Sequence, residues 1–221
     1  MARGLKKTPR TGWVLQKAGP RIESVADHSW RISLMAMVAS SPSISSSTTR
    51  QYDTNRCIKM ALVHDLAEAT VGDITPHCGV SDTTKHELEL RAITEMTQKL
   101  TLGLPSSVDD VSSSLSSSNN GVGNEILELW KEYEEGITDN AKLVKDMDKL
   151  EMMLQALEYE KDGKNEKSLD GFFDGTRSKW KTNIGESWGK EIESRRTQRR
   201  NNQQQEENDD DTTTAKPTKA E

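Results

Sequence analysis

The segment 60–73 places several ionisable side chains inside an otherwise apolar run. A short apolar stretch leads directly into His64 and Asp65, and apolar residues resume immediately after this pair. Ionisable groups buried in such a segment are costly unless they are hydrogen-bonded, paired or bound to a metal. Imidazole and carboxylate together suit a divalent cation of borderline hardness. Glu68 follows His64 at the spacing that puts both on one helical face. The pair is equally compatible with a hydrogen-bonded core histidine beside a helix-terminal acid.

Two other predicted helices each carry a metal-ligating residue type on the face expected to be buried. His28 lies within an apolar stripe, where a histidine satisfied by core hydrogen bonds is the commoner outcome. Asp148 follows Val144 by four residues in a long helix, and an unpaired aspartate is almost never fully buried. Helical packing can bring inward side chains together around a cation. Together these positions predict a site for one divalent ion, with open positions for water and substrate, formed by His28, His64, Asp65 and Asp148.

Hydrophobic periodicity and capping signals predict the helices that would position these residues. Ser24 and Asp27 match a capping box that starts the first helix, and Gly72 is expected to end the second. No segment has a convincing strand pattern, so the sequence predicts an all-α fold, a single bundle of about five to seven helices around one core. The predicted helices span 25–39, 52–71, 81–100, 125–135 and 139–159, followed by 168–180 and 184–193.

Composition divides the chain into one domain and two appendages. Residues 1–8 are basic and are expected to be a flexible N-terminus, while residues 9–193 form the predicted domain. Residues 194–221 contain no apolar side chain other than alanine and proline and are predicted to be a disordered charged tail. Two Ser-rich stretches, 40–49 and 105–123, are expected to be surface loops.

Charge and hydropathy exclude several broad classes of function. The formal net charge of −6 argues against a general nucleic-acid-binding surface. No apolar stretch reaches the length of a membrane span, and the N-terminus lacks the apolar segment of a signal peptide. Cys57 and Cys78 have no metal-knuckle spacing and are expected to be reduced thiols.

These features predict a cytoplasmic protein that binds neither nucleic acid nor membrane. Nuclear import through the basic cluster 195–200 is the alternative, although such runs are more often solvated tail. Trp130 and Tyr133 give the helix 125–135 an apolar surplus, which suggests a homodimer.

The order His28, His64–Asp65 and Asp148 resembles the H…HD…D signature of the HD-domain metal-dependent phosphohydrolases. The flanking segments are similar to the 5′-deoxynucleotidase branch of that family, and the similarity extends over about residues 9–180. The segments that carry it are Gly12–Val14, Glu23–His28, Ala61–Glu68, Val71–Ile74 and Lys145–Asp148.

The resemblance implies the HD-domain helical bundle and a role for each matching residue. His28, His64, Asp65 and Asp148 would be the ligands of one divalent ion, which would be Mn, Co, Fe, Zn or Mg. Glu68 would act as general base or orient the attacking water, and Asp73 would assist in the same pocket.

The resemblance further implies a small-molecule deoxynucleotide substrate. Trp13 matches the family tryptophan that packs beside the sugar and disfavours a 2′-hydroxyl. Bacterial members place an arginine directly before this tryptophan, whereas Gly12 stands here, so Arg10 is expected to reach the phosphate. The segment after Asp73, comprising Ile74, Thr75 and Pro76, would border the nucleotide.

The expected reaction is metal-dependent hydrolysis of deoxyribonucleoside 5′-monophosphates to deoxynucleoside and phosphate. One alternative is an HD phosphohydrolase acting on a nucleoside triphosphate, a cyclic nucleotide or an alarmone. Another is a non-catalytic helical scaffold that binds a nucleotide or a metal. The presence of all four candidate ligands and of Glu68 argues against the scaffold.

Overall fold

The computed structural model describes residues 2–45, 51–102 and 121–214. Within these ranges the fold is all-α, as predicted, with six helices of ten or more residues and several short ones. In chain order the helices are α1 (Ala2–Leu5), α2 (Thr11–Gln16), α3 (Val25–Ala39), α4 (Pro42–Ser45), α5 (Thr54–Val63), α6 (Glu68–Val71), α7 (Asp82–Leu102), α8 (Val122–Glu135), α9 (Asp139–Asp162), α10 (Asp170–Asp174) and α11 (Asn183–Thr214).

Helix α9 is the centre of the bundle and packs against α3, α5, α8, α10 and α11. Its N-terminus is capped by the Thr138 hydroxyl, which accepts a hydrogen bond from the backbone N–H of Ala141. Gly163 ends it in the left-handed conformation. Since α9 is uninterrupted and surrounded, a carboxylate on its inward face meets side chains from several helices.

The capping box predicted at the start of α3 is present. The Ser24 hydroxyl accepts from the Asp27 backbone N–H, and the Asp27 carboxylate accepts from the Ser24 backbone N–H. This cap fixes the first turn of α3, which contains His28, and α3 then packs against both α5 and α9. The histidine is therefore held close to the elements that carry the other candidate ligands.

The prediction of one continuous helix over 52–71 is wrong in one respect, because the structure has two helices there, α5 and α6. Residues 64–67 form turns with short-range hydrogen bonds, from the Leu66 N–H to the Val63 carbonyl and from the Glu68 N–H to the Asp65 carbonyl. The His64 ring bonds the Ala61 carbonyl, the acceptor that an uninterrupted α-helix would offer to residue 65. Gly72 ends α6 with a φ of +79°, as predicted.

The N-terminal residues are packed, contrary to the prediction of a flexible segment over 1–8. Helix α1 contacts α6, and Leu5 is buried. A side chain at Gly4 would approach the backbone oxygen of Ala69 to 2.7 Å, so this helix lies directly against α6. The single apolar residue Leu5 and the close approach at Gly4 order a stretch whose composition is otherwise basic.

The predicted disordered tail from Ser194 is also wrong at its beginning. Helix α11 continues to Thr214, and the buried Arg196 pairs with Glu160 and Asp170. Its guanidinium lies 3.7 Å from the centre of the Phe173 ring. Composition does not predict these contacts, because a run of arginines is typical of a solvated segment. The partners of Arg196 lie 36 and 26 positions away in the sequence.

Two other predicted segments differ in length. The helix expected over 168–180 is limited to α10, and part of the loop expected over 40–49 is helical in α4. Of the second predicted loop, residues 105–120 lie outside the described residues, and α8 begins at Val122.

The two α8 side chains that suggested a homodimer are not exposed, and the homodimer stays a prediction. Trp130 and Tyr133 are 1% and 7% exposed, so the apolar surplus of α8 is covered by this chain itself.

Cys57 and Cys78 are both free thiols, as expected. No helix in the part of the chain that the structure describes has the length and apolar character needed to cross a bilayer.

Candidate metal centre and adjoining cavity

The rings of His28 and His64 lie side by side in the core, with their centres 5.5 Å apart. In each ring one nitrogen is engaged: His28 Nδ1 lies 2.5 Å from Glu151 Oε2, and His64 Nδ1 lies 2.8 Å from the Ala61 carbonyl oxygen. Both partners are acceptors, so each Nδ1 carries a proton, and the neutral form of each ring presents a lone pair at Nε2. Both Nε2 atoms are buried without a hydrogen-bond partner.

Two carboxylates lie at the same point as these unpartnered nitrogens. Asp65 Oδ2 is 3.1 Å from His64 Nε2 and 3.7 Å from His28 Nε2. Asp148 Oδ1 is 3.1 Å from His28 Nε2, and its other oxygen accepts from the Tyr133 hydroxyl at 2.7 Å. The structure therefore places the ligand atoms of His28, His64 and Asp65 within 4.8 Å of one another, and Asp148, the fourth sequence-predicted ligand, lies against His28. Such a donor set, with buried lone pairs otherwise unsatisfied, fits a divalent cation.

The electrostatics of the centre favour a positive charge at this point. Burial acts to raise the pKa of Asp65 and Asp148, but neighbouring histidines and Arg10 outweigh it and hold both below the usual range. Burial and the charge of Arg10 act to lower the pKa of His28, yet the carboxylates of Asp148 and Glu151 raise it to about 9. Without a cation this ring is therefore protonated, and it would release its Nε2 proton on binding one. The ionised carboxylates are therefore matched to a cation.

Glu68 lies beside the centre with one carboxyl oxygen, Oε2, buried and without a hydrogen-bond partner. Burial, then the negative charges of Asp65 and Asp73, raise the pKa of Glu68 to about 11. The group thus carries a proton in the absence of a cation, and a cation nearby would make its ionised form more favourable. A carboxyl group in this position can exchange a proton with a reacting group.

Asp73 and Arg10 connect the metal centre to the start of α2. The Asp73 carboxylate accepts from the Thr11 backbone N–H at 2.6 Å, and the Asp73 carbonyl accepts from the Thr11 hydroxyl at 2.7 Å. Arg10 Nη1 lies 3.2 Å from Asp65 Oδ2 and 3.9 Å from Asp73 Oδ1. Asp73 therefore holds the N-terminal segment against the centre, and the Arg10 guanidinium lies next to the candidate ligand Asp65.

A cavity of about 210 Å³ adjoins the centre at Arg10. The sequence-predicted residues Arg10, Trp13, Asp73, Thr75 and Pro76 line it. Ile74, which was also predicted to border the nucleotide, is not among its lining residues. The remaining lining residues are Gly12, Gln16, His77, Met152 and Phe172, none of which the sequence predicted to bind the substrate.

Trp13 is held rigidly at this cavity. Its indole Nε1 donates to Glu23 Oε1 at 2.7 Å, and its ring packs 4.1 Å from the ring centre of Phe172 and 5.4 Å from that of Tyr159. The tryptophan is only 2% exposed, so it forms a fixed wall rather than a mobile lid.

Glu151 and Arg31 belong to the environment of the centre but were missed from the sequence. Glu151 is fully buried and accepts from both His28 and Arg31. Its one available signal was its position three residues after Asp148, which places it near the same face of a long helix. An acidic residue at such a position is ordinarily solvated, so the pattern alone gives no reason to select it.

Comparison with known proteins points to one family. The family model described as HD domain matches residues 2–188. The 5′-deoxynucleotidase HDDC2 of Dictyostelium discoideum is 40% identical over 196 residues, covering 87% of this chain and 93% of that protein. The 5′-deoxynucleotidase hdd1 of Schizosaccharomyces pombe is 43% identical over 168 residues, covering 76% and 73%. A conserved hypothetical protein from Pyrococcus furiosus has a similar solved structure, with a TM-score of 0.64, 28% identity, and coverage of 87% and 95%.

Proposed function

Since the chain belongs to the HD-domain family, we infer that it is a metal-dependent 5′-deoxynucleotidase, which hydrolyses deoxyribonucleoside 5′-monophosphates to deoxynucleoside and phosphate. The observation that carries this proposal is the pair of buried, unpartnered Nε2 atoms facing two ionised carboxylates. His28, His64, Asp65 and Asp148 would hold one divalent ion, drawn from Mn, Co, Fe, Zn and Mg. A divalent ion held there supplies Lewis acidity that favours negative charge building up on phosphoryl oxygens.

The residues around the centre would each have a separate role in binding or catalysis. Glu68 is close enough to the ligand cluster to take a proton from the attacking water or to orient it. Arg10 lies between Asp65 and the cavity, where a guanidinium can bind the substrate phosphate. Asp73 holds this segment in place through Thr11. The phosphate would then lie at the mouth of the cavity, with the sugar inside it.

Discrimination against ribose follows from the hydrogen bonding of Trp13. The one side-chain donor of Trp13, Nε1–H, already donates a hydrogen bond to Glu23. Phe172, which packs against the Trp13 ring, has no polar side-chain atom. A 2′-hydroxyl placed against this wall would be desolvated without a partner, at a cost of about 1–3 kcal/mol. A deoxyribose at the same place loses nothing.

The decisive experiment compares phosphate release from dAMP and AMP with Mn²⁺ or Co²⁺. We expect kcat/KM to favour dAMP by roughly 10- to 100-fold, which is the cost of one unpaired hydroxyl. Equal kcat/KM for the two would contradict the role of Trp13. Including a nucleoside triphosphate, a cyclic nucleotide and an alarmone in the same panel tests the wider family alternatives.

Two variants separate metal binding from proton transfer. His64→Ala is expected to lose both bound metal and activity while retaining helical content. Glu68→Gln is expected to retain metal and to lose roughly 10²- to 10⁴-fold in kcat. Metal analysis of the purified proteins distinguishes the two cases, and a His64→Ala protein with full activity would refute the proposed centre.

A further inference from the structure

The carboxylate of Glu151 lies behind His28, at the ring nitrogen that faces away from the other ligands. Its Oε2 is 2.5 Å from His28 Nδ1, and the residue is fully buried on α9. One turn before it on the same helix is Asp148, itself a candidate ligand. The helix thus presents one carboxylate to the metal point and a second to the back of the histidine.

Arg31 holds Glu151 in turn. Its Nε and Nη2 donate to Glu151 Oε1 at 2.8 and 2.5 Å, so the two carboxylate oxygens are divided between Arg31 and His28. The guanidinium is fixed on its other sides by Gln155 at 2.5 Å and by Glu158 at 2.8 and 2.9 Å. Glu151 therefore has little freedom to turn away from the histidine.

We propose that Glu151 is a positioning residue that keeps the His28 proton on Nδ1 and directs Nε2 to the metal. An imidazole can carry its proton on either nitrogen, and the hydrogen bond at one nitrogen selects which. At His64 this acceptor is the neutral carbonyl of Ala61, whereas at His28 it is an ion-paired carboxylate. The carboxylate makes His28 the more strongly electron-donating of the two ligands.

Glu151→Gln tests this role with little change of shape. An amide offers one acceptor and one donor, but His28 and Arg31 both donate to this position, so a donor faces a donor in either orientation. We expect the affinity of the metal-free protein for Co²⁺ to fall by roughly 10- to 100-fold, with a changed Co²⁺ absorption spectrum. Titration with Co²⁺ alone measures both, without substrate or turnover.

Glu158→Gln is the matched control. Glu158 lies on the same helix and pairs with the same arginine, but it is largely exposed and does not touch His28. We expect this variant to bind Co²⁺ as the parent does. Equal weakening in both variants would show that the loss comes from disturbing Arg31 and would overturn the role of Glu151.

The inference rests on the proposed metal centre. The Co²⁺ titration distinguishes failure of the metal centre from failure of the positioning role of Glu151. A parent protein that binds no Co²⁺ overturns the centre itself. A parent that binds Co²⁺ while a folded Glu151→Gln binds equally well overturns only the positioning role. If Glu151→Gln does not fold, ¹⁵N spectra of the Zn²⁺-loaded parent decide, since they must show the His28 proton on Nδ1. A proton on Nε2 overturns the proposal.

Discussion

Glu23 is the residue that joins the substrate cavity to the environment of the metal centre. One of its oxygens accepts from Trp13 Nε1, and the carboxyl group lies 3.8 Å from Arg31 and close to Glu151. Burial and the negative charge of Glu151 raise the pKa of Glu23 to about 7, even though His28 acts in the opposite direction. Two buried carboxyl groups, those of Glu23 and Glu151, thus lie between Trp13 and the candidate ligand His28.

This pKa gives the stability of the metal-free protein a pH dependence of known sign. Because the folded-state pKa of Glu23 is raised from 4.5 to about 7, its contribution to stability is full below pH 4.5 and is lost as the pH rises through 7. The loss attributable to this residue is on the order of 2–3 kcal/mol between about pH 5 and pH 8.

Glu23→Gln should remove that part of the decline and keep an acceptor for the Trp13 indole. Urea unfolding of the parent and the variant, both with metal chelated, measures the free energy of unfolding across this pH range. Taking the difference between the two proteins cancels the titration of other groups. Parallel curves for parent and variant would show that Glu23 does not titrate in this window.

At the level of helices, the features that the sequence predicts correctly are those set by residues close together in the chain. The capping box of α3 and the terminating Gly72 are set by residues within a few positions of each other, and both are present. The break between α5 and α6 occurs where the His64 ring bonds the Ala61 carbonyl, a side-chain contact that a periodic apolar pattern cannot predict. The site is also only partly predictable from the sequence. The candidate ligands match a family signature, whereas the role of Glu151 can be recognised only from the packing of α9 against α3, which brings it to His28.

Gly72 sets the direction in which the chain leaves α6 towards Asp73. Its φ of +79° and ψ of 169° lie in a region that is essentially restricted to glycine. Gly72→Ala should lower the free energy of unfolding by about 1–3 kcal/mol through backbone strain, even though no atom lies within 4 Å of the added methyl.

The strain at Gly72 should also reach the site, because Asp73 is the next residue and holds Thr11. We expect a raised KM for the deoxynucleotide, measured alongside urea unfolding. Gly171→Ala is the control, since its added methyl also meets no atom within 4 Å and its backbone is not in the positive-φ region. A Gly72→Ala protein as stable as the Gly171→Ala protein would refute the strain argument.

For the molecule as a whole, helix α1 and the first half of α11 are attached to the bundle by contacts that composition does not predict. At the N-terminal end α1 lies on α6, and at the other end α11 packs along α9. Both stretches are rich in charge, which in sequence is typical of a solvated segment. Arg196, however, finds Glu160 and Asp170, residues 36 and 26 positions away, and such long-range pairing is not readable from a local pattern.

Arg196→Ala should therefore lower the free energy of unfolding by about 2–3 kcal/mol. The substitution removes the ion pairs to Glu160 and Asp170 from a largely buried site and uncovers the ring of Phe173. Arg195→Ala is a control from the adjacent position, because Arg195 is exposed and its ion pair within the described part of the chain is with the exposed Glu191. Its effect should stay within about 0.5 kcal/mol. Urea unfolding measures both, and equal effects of the two substitutions would mean that α11 is not held by Arg196. Because the proposed metal ligands lie on α3, α9 and the turn after α5, folded Arg196→Ala protein should retain the affinity of the parent for Co²⁺.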